Sequence, residues 1–142
     1  MQPVIQEELT GCGIASAAAI AGISYVQAKK AANKMGIFAG DDSLWSSPRY
    51  VRDLLDSLGI ETDQQEKPFN AWEELPDCAL LATKWHLEAG KPFWHWVVFV
   101  REGAQEYVLD SKKSLKTNIR KDFARMKPKW FIEVHRSYQA VE

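Results

Sequence analysis

The sequence is poor in cysteine and histidine, with two and three of them among 142 residues. Two cysteines cannot build a disulfide framework, and no group of cysteines and histidines has the spacing of a zinc site. We therefore expect no metal and no organic cofactor. Cys12 and Cys78 are predicted to be free thiols in a reducing compartment, with the cytoplasm as the location.

The sequence also lacks an excess of positive or negative charge, because 18 basic and 19 acidic residues leave a formal net charge of -1. This balance gives no electrostatic footprint for nucleic acid, and the basic stretch 112–129 is interrupted, as in a solvated face. The apolar stretch 13–23 is too short to cross a bilayer. Glu7 and Glu8 precede it, where a signal peptide carries positive charge. The sequence predicts neither nucleic-acid binding nor membrane insertion.

Internal repeats, low-complexity tracts and flexible linkers are absent from the sequence as well. A chain of 142 residues fits one domain. Such a chain buries roughly two thirds of its unfolded surface without help from a disulfide or a metal. We therefore expect a single domain over 1–142.

The first half of the chain is patterned as helices. The predicted helices are 13–21, 25–35 and 49–58. Ser24 is a candidate N-cap of the second helix, and Gly36 stands where a left-handed residue ends it. The third helix has one apolar face, which we expect to pack inward. The residues of that face are Tyr50, Val51, Leu54, Leu55 and Leu58.

The second half is rich in aromatic and β-branched residues between glycine, proline and charged clusters, which is typical of strands. The predicted strands are 79–83, 93–101, 105–110 and 130–135. The stretch FWHWVVFV is apolar on both alternating faces, so its strand should be central and covered on both sides. Helices followed by an antiparallel sheet predict an α+β fold, with N-terminal helices packed on a C-terminal sheet.

His95 differs from the other two histidines because it interrupts the most apolar segment of the protein. His86 adjoins a charged turn and His135 lies near the C-terminus, where surface roles are expected. A lone histidine in an apolar strand is more often a core residue than a catalytic one. Because side chains alternate along a strand, Trp94 and Trp96 are expected on the opposite face as core residues.

Asp110 is the residue that makes His95 a catalytic candidate. If Glu102 and Gly103 form a two-residue turn, Asp110 stands directly opposite His95. Opposed residues share a face with Cβ atoms about 5 Å apart, within reach of a hydrogen bond. A four-residue loop would make the pair diagonal on one face, and a three-residue loop would separate it. The alternative is that Asp110 caps the turn after its strand.

Cys12 lies between two glycines at the start of the alanine-rich helix, in the stretch QEELTGCGIAS. There the helix dipole and the unpaired N–H groups favour thiolate over thiol, and a nearby imidazolium would favour it further. Gly11 and Gly13 leave room for a substrate backbone. The alternative is that Cys12 packs like its alanine neighbours. Cys78 has no comparable setting and is predicted to be structural.

These stretches together resemble a known family. QEELTGC, with Gln6 six positions before Cys12, is followed by HWVVFV and by YVLDS, which places Asp110 fifteen positions after His95. The order is similar to that of papain-like cysteine peptidases, and more closely to the bacteriocin-processing peptidases that cut leader peptides after a double glycine. That family shows a glutamine, an Asp-Cys-Gly element opening an alanine-rich helix, a histidine heading an apolar strand and an aspartate ending the next.

The resemblance implies a papain-like fold with Cys12 as the nucleophile, His95 as general base and acid, and Asp110 as its orienting residue. It also implies that Gln6 and the backbone N–H of Cys12 form the oxyanion hole. Two features depart from the family. Its aspartate before the cysteine is Gly11 here, and its usual membrane-spanning exporter has no counterpart in this sequence. Leader-peptide processing therefore does not follow from the sequence.

The function predicted from these residues is that of a cysteine hydrolase acting on a peptide or protein, with a peptidase as the first hypothesis. A second hypothesis is an amidase, deamidase or acyltransferase with the same triad. A third, from another class, is a peptide-binding or immunity-type module that keeps the fold without turnover. The presence of all four chemical positions favours an enzyme.

Overall fold

The computed structural model describes residues 1–135, and the last seven residues of the predicted domain 1–142 lie outside that range. Within it, three α-helices precede a seven-stranded antiparallel sheet. The helices are α1 (Cys12–Ala21), α2 (Tyr25–Lys34) and α3 (Arg49–Ser57). The strands are β1 (Glu61–Thr62), β2 (Lys67–Pro68), β3 (Cys78–Glu88), β4 (Lys91–Glu102), β5 (Gln105–Leu109), β6 (Ile119–Arg120) and β7 (Trp130–His135). The α+β prediction is confirmed.

The signals that predicted α2 are present in the structure. Ser24 caps the helix, since its hydroxyl accepts a hydrogen bond from the backbone N–H of Gln27 at 3.1 Å. The Gln27 side chain in turn accepts from the backbone N–H of Ser24 at 2.9 Å, which completes a capping box. Gly36 follows the helix with a φ of 80°, as predicted for a left-handed stop.

Helix α1 is the central helix of the molecule. Every residue from Gly13 to Ile20 is buried, because α2, α3 and β4 all pack against it. Its alanines allow this close approach from several sides. On α3, the predicted inward face is confirmed: Val51, Leu54 and Leu55 are buried, and Tyr50 and Leu58 pack against the same core. None of the helices within residues 1–135 has the length and apolarity needed to cross a membrane.

The sheet has the strand order β1-β7-β3-β4-β5-β6, and β2 also pairs with β7. Strand β4 is central, as predicted, and both of its faces are covered. Trp96, Val98 and Val100 belong to the core shared with the helices. Val97 and Phe99 belong to a second apolar cluster on the other face of the sheet.

The β3–β4 hairpin is longer than predicted. Its pairing with β7 covers only 79–82 of β3, and its pairing with β5 covers only 98–102 of β4. Beyond those points the hairpin projects from the sheet, with a register shift between Thr83 and His86. Its charged and polar residues at 84, 86 and 88 made this part look like a loop in the sequence. In the fold it is a wall beside the start of α1.

The predicted register of the β4–β5 hairpin is wrong. Glu102 pairs with Gln105, so the turn residues are Gly103 and Ala104 rather than Glu102 and Gly103. Gly103 has a φ of 61° and is the first of the two central residues, which is the glycine position of a type II′ turn. The last pair of β5 with β4 is Leu109 with Val98.

Candidate active site

His95 and Asp110 lie together despite the different register. Nε2 of His95 hydrogen-bonds to Oδ1 of Asp110 at 2.8 Å. Their pairing is diagonal, since Asp110 follows the Leu109–Val98 pair, and diagonal neighbours share a face of the sheet. The side chain of Asp110 is only 2% exposed and that of His95 is 16% exposed. Direct opposition was therefore a wrong prediction, whereas the hydrogen bond that it led us to expect is present.

Cys12 is the first residue of α1 and lies on the other side of the imidazole. Cys12 and His95 line the same cleft, and the Cys12 side chain is near enough to the imidazole to raise its pKa. Because Nε2 is engaged with Asp110, Nδ1 is the ring nitrogen that faces the thiol. The first backbone hydrogen bond of the helix runs from the N–H of Ala15 to the carbonyl of Gly11, and no side chain caps this end of α1. The backbone N–H of Cys12 is therefore free of helical pairing.

The charges of His95 and Asp110 stabilise each other. Burial lowers the pKa of His95, but its hydrogen bond to Asp110, the nearby Cys12 side chain and the charges of both groups outweigh burial and raise the pKa to about 9. Burial raises the pKa of Asp110, and the hydrogen bonds from His95, Lys112 and Arg120 overcome this effect and lower the pKa to about 2. At neutral pH an imidazolium therefore lies between a carboxylate and the Cys12 sulfur.

Asp110 is held by more partners than the sequence predicted. Its Oδ1 also accepts from the backbone N–H of Lys112 at 3.1 Å, and its Oδ2 accepts from Nη1 of Arg120 at 3.0 Å. Arg120 is fixed in turn by Asp122, to which its Nε and Nη2 donate at 2.9 and 2.7 Å. Arg120 was not identified from the sequence, because β6 is only two residues long and lies within the stretch interpreted as a solvated basic face.

Gln6 is buried beside the loop that precedes Cys12. Its Nε2 donates to the backbone carbonyls of Glu8 and Leu9 at 3.0 and 2.8 Å. Its Oε1 accepts from the Ser111 hydroxyl at 2.7 Å, and its backbone N–H donates to the Ser111 carbonyl at 3.0 Å. Both amide hydrogens are thus engaged. In this conformation Gln6 ties the loop to the segment that follows β5.

The loop is also tied to α2. The Glu8 carboxylate accepts a hydrogen bond from the Tyr25 hydroxyl and forms an ion pair with Lys29. The Tyr25 hydroxyl lies where a side chain on Gly11 would be, so any larger residue there would require Tyr25 to shift. The prediction that Gly11 leaves room for substrate is therefore wrong, because a side chain of the protein takes that space. These contacts hold the loop that precedes Cys12.

The sulfur of Cys12 opens into a cleft of about 230 Å³. One wall comes from the projecting β3–β4 hairpin, through Glu88 and Phe93. The facing wall includes Trp45 and Tyr50, and the rings of Trp45 and Phe93 meet edge to face at 6.3 Å. The cleft therefore offers apolar aromatic surface next to the nucleophile candidate.

Trp96 is a core residue, as predicted, with 2% exposure. Its ring meets that of Trp130 at 5.4 Å, and Trp94 meets the same ring at 4.9 Å. Both tryptophans also contribute to the wall of the cleft. Nε1 of Trp94 has no hydrogen-bond partner among the residues that the structure describes, and its ring stands edge to face on Trp130.

The remaining cysteine and histidines are not among the residues that line this cleft, although His86 contacts Glu88 and Phe93 of its wall. Cys78 is 3% exposed and starts β3, in agreement with a structural role. His86 is exposed and hydrogen-bonds to Glu88 at 2.7 Å. His135 and Asp63 are hydrogen-bonded at 2.7 Å on the surface. Both surface assignments from the sequence are confirmed.

One group of side chains has the composition of a metal site. Ligand-type atoms of Asp63, Glu133 and His135 lie within 4.8 Å of one another. However, Asp63 is already paired with Lys67 at 3.3 Å and with His135. A cation placed here would compete with an ammonium group, so ion pairing between β7 and the segment after β1 explains the cluster.

No family model matches the chain, and no curated protein matches it. Among solved structures, the chain is similar to the crystal structure of a double glycine motif protease from an AMS/PCAT transporter in complex with the leader peptide. The similarity covers 96% of this chain and 91% of that one, with a TM-score of 0.62 and 16% sequence identity. The protein therefore has an α+β fold of the kind found in that protease domain.

Proposed function

We propose that this protein is a cysteine peptidase of papain-like fold, with Cys12, His95 and Asp110 as its triad. The observation that carries the proposal is the 2.8 Å hydrogen bond between Nε2 of His95 and the buried Asp110, which leaves Nδ1 for Cys12 in the same cleft. Cys12 from α1 and His95 from β4 line one cleft, and Asp110, directly after β5, is buried behind His95. The chain also has a fold similar to that of a double glycine motif protease, and this similarity supports peptidase activity.

In the proposed reaction, the Cys12 thiolate attacks a peptide carbonyl and the electron pair of the C=O bond moves onto oxygen. The backbone N–H of Cys12 donates to this oxyanion. As the tetrahedral intermediate collapses, the imidazolium of His95 gives its proton to the leaving amine. His95 then takes a proton from water, the water oxygen attacks the thioester, and the acid product leaves with Cys12 restored. Asp110 holds the imidazole in orientation throughout.

The predicted role of Gln6 as a second oxyanion donor remains part of the proposal. It requires one Nε2 hydrogen to leave the carbonyl of Glu8 or Leu9 when substrate binds. A Ser111→Ala variant weakens the tie to Gln6 but keeps its amide, whereas Gln6→Ala removes both. If Gln6 is a donor, only Gln6→Ala lowers the acylation rate strongly, by roughly 10²- to 10³-fold. Equal losses in the two variants would assign Gln6 to the loop alone.

The substrate that we propose is an extended peptide. The cleft is open to solvent along the sulfur of Cys12, and its aromatic walls suit an apolar side chain of a bound chain. The similar protease was solved with a leader peptide. An amidase, a deamidase or an acyltransferase would use the same three groups, so the identity of the acyl donor decides among these enzymes.

The test is to trap the acyl-enzyme. Wild-type protein is quenched in acid with a peptide library, and mass spectrometry identifies the mass added to Cys12 and the amine released. We expect to find the N-terminal part of a cleaved peptide attached to Cys12 as a thioester. The control variant Cys78→Ala should form the same adduct. A deamidated side chain would indicate a deamidase. Binding without any adduct, equal in wild type and Cys12→Ala, would indicate the interaction module.

A further inference from the structure

Tyr50 is a residue that the proposed reaction does not yet use. It is the second residue of α3, and its ring lines the cleft together with Cys12 and His95. The phenol covers the backbone of α1 one residue after the nucleophile. A side chain on Gly13 would overlap the Tyr50 hydroxyl and lie 2.8 Å from two carbons of its ring. The hydroxyl is therefore fixed beside the start of α1.

The hydroxyl hydrogen of Tyr50 is available to a ligand. Burial raises the pKa of Tyr50, and the nearby indole N–H of Trp96 opposes this rise by acting on the phenol oxygen. Since an indole N–H only donates, the oxygen of Tyr50 is the acceptor in this contact. None of the hydrogen bonds recorded within residues 1–135 is donated by the Tyr50 hydroxyl. Burial, and then the charge of Cys12, raise the pKa of this phenol, so that it keeps its proton as a donor.

The oxyanion of the proposed reaction would be stabilised by a donor that is already free in this structure. The backbone N–H of Cys12 supplies one hydrogen bond, but both amide hydrogens of Gln6 are engaged with backbone carbonyls. Tyr25 covers Gly11 in the way that Tyr50 covers Gly13. The hydroxyl of Tyr25, however, already donates a hydrogen bond to Glu8. Of these side chains beside the start of α1, Tyr50 has the uncommitted hydrogen.

We propose that Tyr50 is a catalytic residue whose hydroxyl donates a hydrogen bond to the oxyanion formed when Cys12 attacks a carbonyl. This inference rests on the proposed role of Cys12 as nucleophile. The bond that forms is between the sulfur and the carbonyl carbon, and the C=O electron pair moves to oxygen. Tyr50 keeps its proton and transfers none, so the contribution is electrostatic.

The experiment compares two reactions of the same sulfur in wild type and Tyr50→Phe. Acylation by p-nitrophenyl acetate passes through a tetrahedral oxyanion, and the release of p-nitrophenolate reports its rate. Alkylation by iodoacetamide is a displacement at a saturated carbon and forms no oxyanion. The ratio of the two rates at one pH therefore isolates stabilisation of the oxyanion from the reactivity of the thiol.

We expect Tyr50→Phe to acylate about 10- to 100-fold more slowly than wild type, with the alkylation rate within about twofold. The ring is retained, and an unchanged alkylation rate shows that the site has kept its structure. Unchanged acylation would overturn the proposal. A parallel fall of both rates would overturn it too, because the hydroxyl would then act on the thiolate or on the fold.

Tyr25→Phe is the matched control, since it removes the same atom beside the neighbouring glycine, outside the cleft. Its ratio of acylation to alkylation should equal that of wild type, even if the loop makes both reactions somewhat slower. The ester reaction also separates this inference from the peptidase proposal. If wild type cleaves no peptide but its acylation still depends on Tyr50, the proposed substrate fails and the role of Tyr50 stands.

Discussion

His95 is the residue whose charge controls the chemistry at Cys12. The imidazole lies between the buried carboxylate of Asp110 and the sulfur, and its pKa is raised to about 9. It therefore carries a proton throughout the neutral range and faces the sulfur as a cation. An ordinary thiol has no such partner, so its reactivity falls steeply as the solution becomes acidic.

We predict that Cys12 alkylates faster than Cys78 and keeps this advantage at mildly acidic pH. Limited treatment with iodoacetamide followed by peptide mass spectrometry gives both rates. Because Cys78 is buried at 3% exposure, the difference between the two cysteines alone does not prove activation. The decisive control is His95→Gln, which should slow Cys12 at pH 6 by at least about tenfold. Equal rates for Cys12 in wild type and His95→Gln would remove His95 from the mechanism.

A second prediction for His95 concerns the decrease of kcat/KM on the basic side of the pH–rate profile. The protonated imidazole is needed to protonate the leaving amine, so kcat/KM should fall as the pH rises through about 9. Asp110 raises the pKa of His95, and Asp110→Asn removes that effect while keeping the size of the side chain. This decrease should therefore move to lower pH in Asp110→Asn. A decrease at the same pH in both proteins would contradict this coupling.

Residue types and spacing were sufficient to identify Cys12, His95 and Asp110 as candidates. Cysteine and histidine are rare in the chain, and the hairpin with His95 singled out Asp110 among eight aspartates. The partners that hold these groups were not readable in the same way. Arg120 reaches Asp110 only because β6 pairs with β5, and Tyr50 looked like one more apolar position on an inward helix face. Their importance depends on tertiary contacts, which leave no periodic pattern in the sequence.

Among the secondary-structure elements, α1 begins in contact with the first turns of two other helices. Two tyrosine hydroxyls, from the first turns of α2 and α3, occupy the positions that side chains on Gly11 and Gly13 would take. A side chain at either glycine would therefore require a tyrosine to shift.

Gly13→Ala tests this contact. Alanine is favoured over glycine within a helix by about 1 kcal/mol, so helix propensity alone predicts stabilisation. We expect destabilisation instead, by about 1 to 3 kcal/mol, because the new methyl group meets the ring of Tyr50. Chemical denaturation measures the change. Gly22→Ala is not a suitable control, because Gly22 has a φ of 73° and alanine would be strained there. The control is therefore Ser16→Ala, which lies within α1. A stabilised Gly13→Ala protein would show that Tyr50 moves easily.

The β4–β5 hairpin shows that turn residues and side-chain alternation do not determine the register of strand pairing. Turns at 102–103 and at 103–104 both use Gly103, and the side-chain alternation is the same for both. The two registers differ by two residues in the pairing, which keeps every side chain on its face. The prediction that His95 and Asp110 share a face therefore survived a wrong register, whereas their direct opposition did not.

At the scale of the whole molecule, the class of fold followed from the order of helical and strand patterns. The projecting part of the β3–β4 hairpin did not, because its charged residues conceal a ladder that is stabilised by strand pairing rather than by burial. That part supplies a wall of the cleft. The sequence thus indicated the chemical groups of the site better than the surface that surrounds them.

The core between sheet and helices depends on Trp96. This residue is 2% exposed and its ring packs against Trp94 and Trp130. Trp96→Ala should destabilise the protein by about 3 to 5 kcal/mol, as seen for large aromatic residues in cores. Thermal melting measures the loss, and Trp85→Ala, on the projecting hairpin, is the control with a smaller expected effect. Loss of turnover with unchanged melting in Trp96→Ala would instead make this side chain a substrate contact.

The tie between Gln6 and Ser111 joins residues that are 105 positions apart in the sequence. Contacts of such long range form late in folding, because the chain must first pay the entropy of closing a large loop, while hairpins such as β4–β5 close within microseconds. We therefore expect His95 and Asp110 to pair before Cys12 reaches them during refolding. On that expectation, fast alkylation of Cys12 should appear only when the fold is complete.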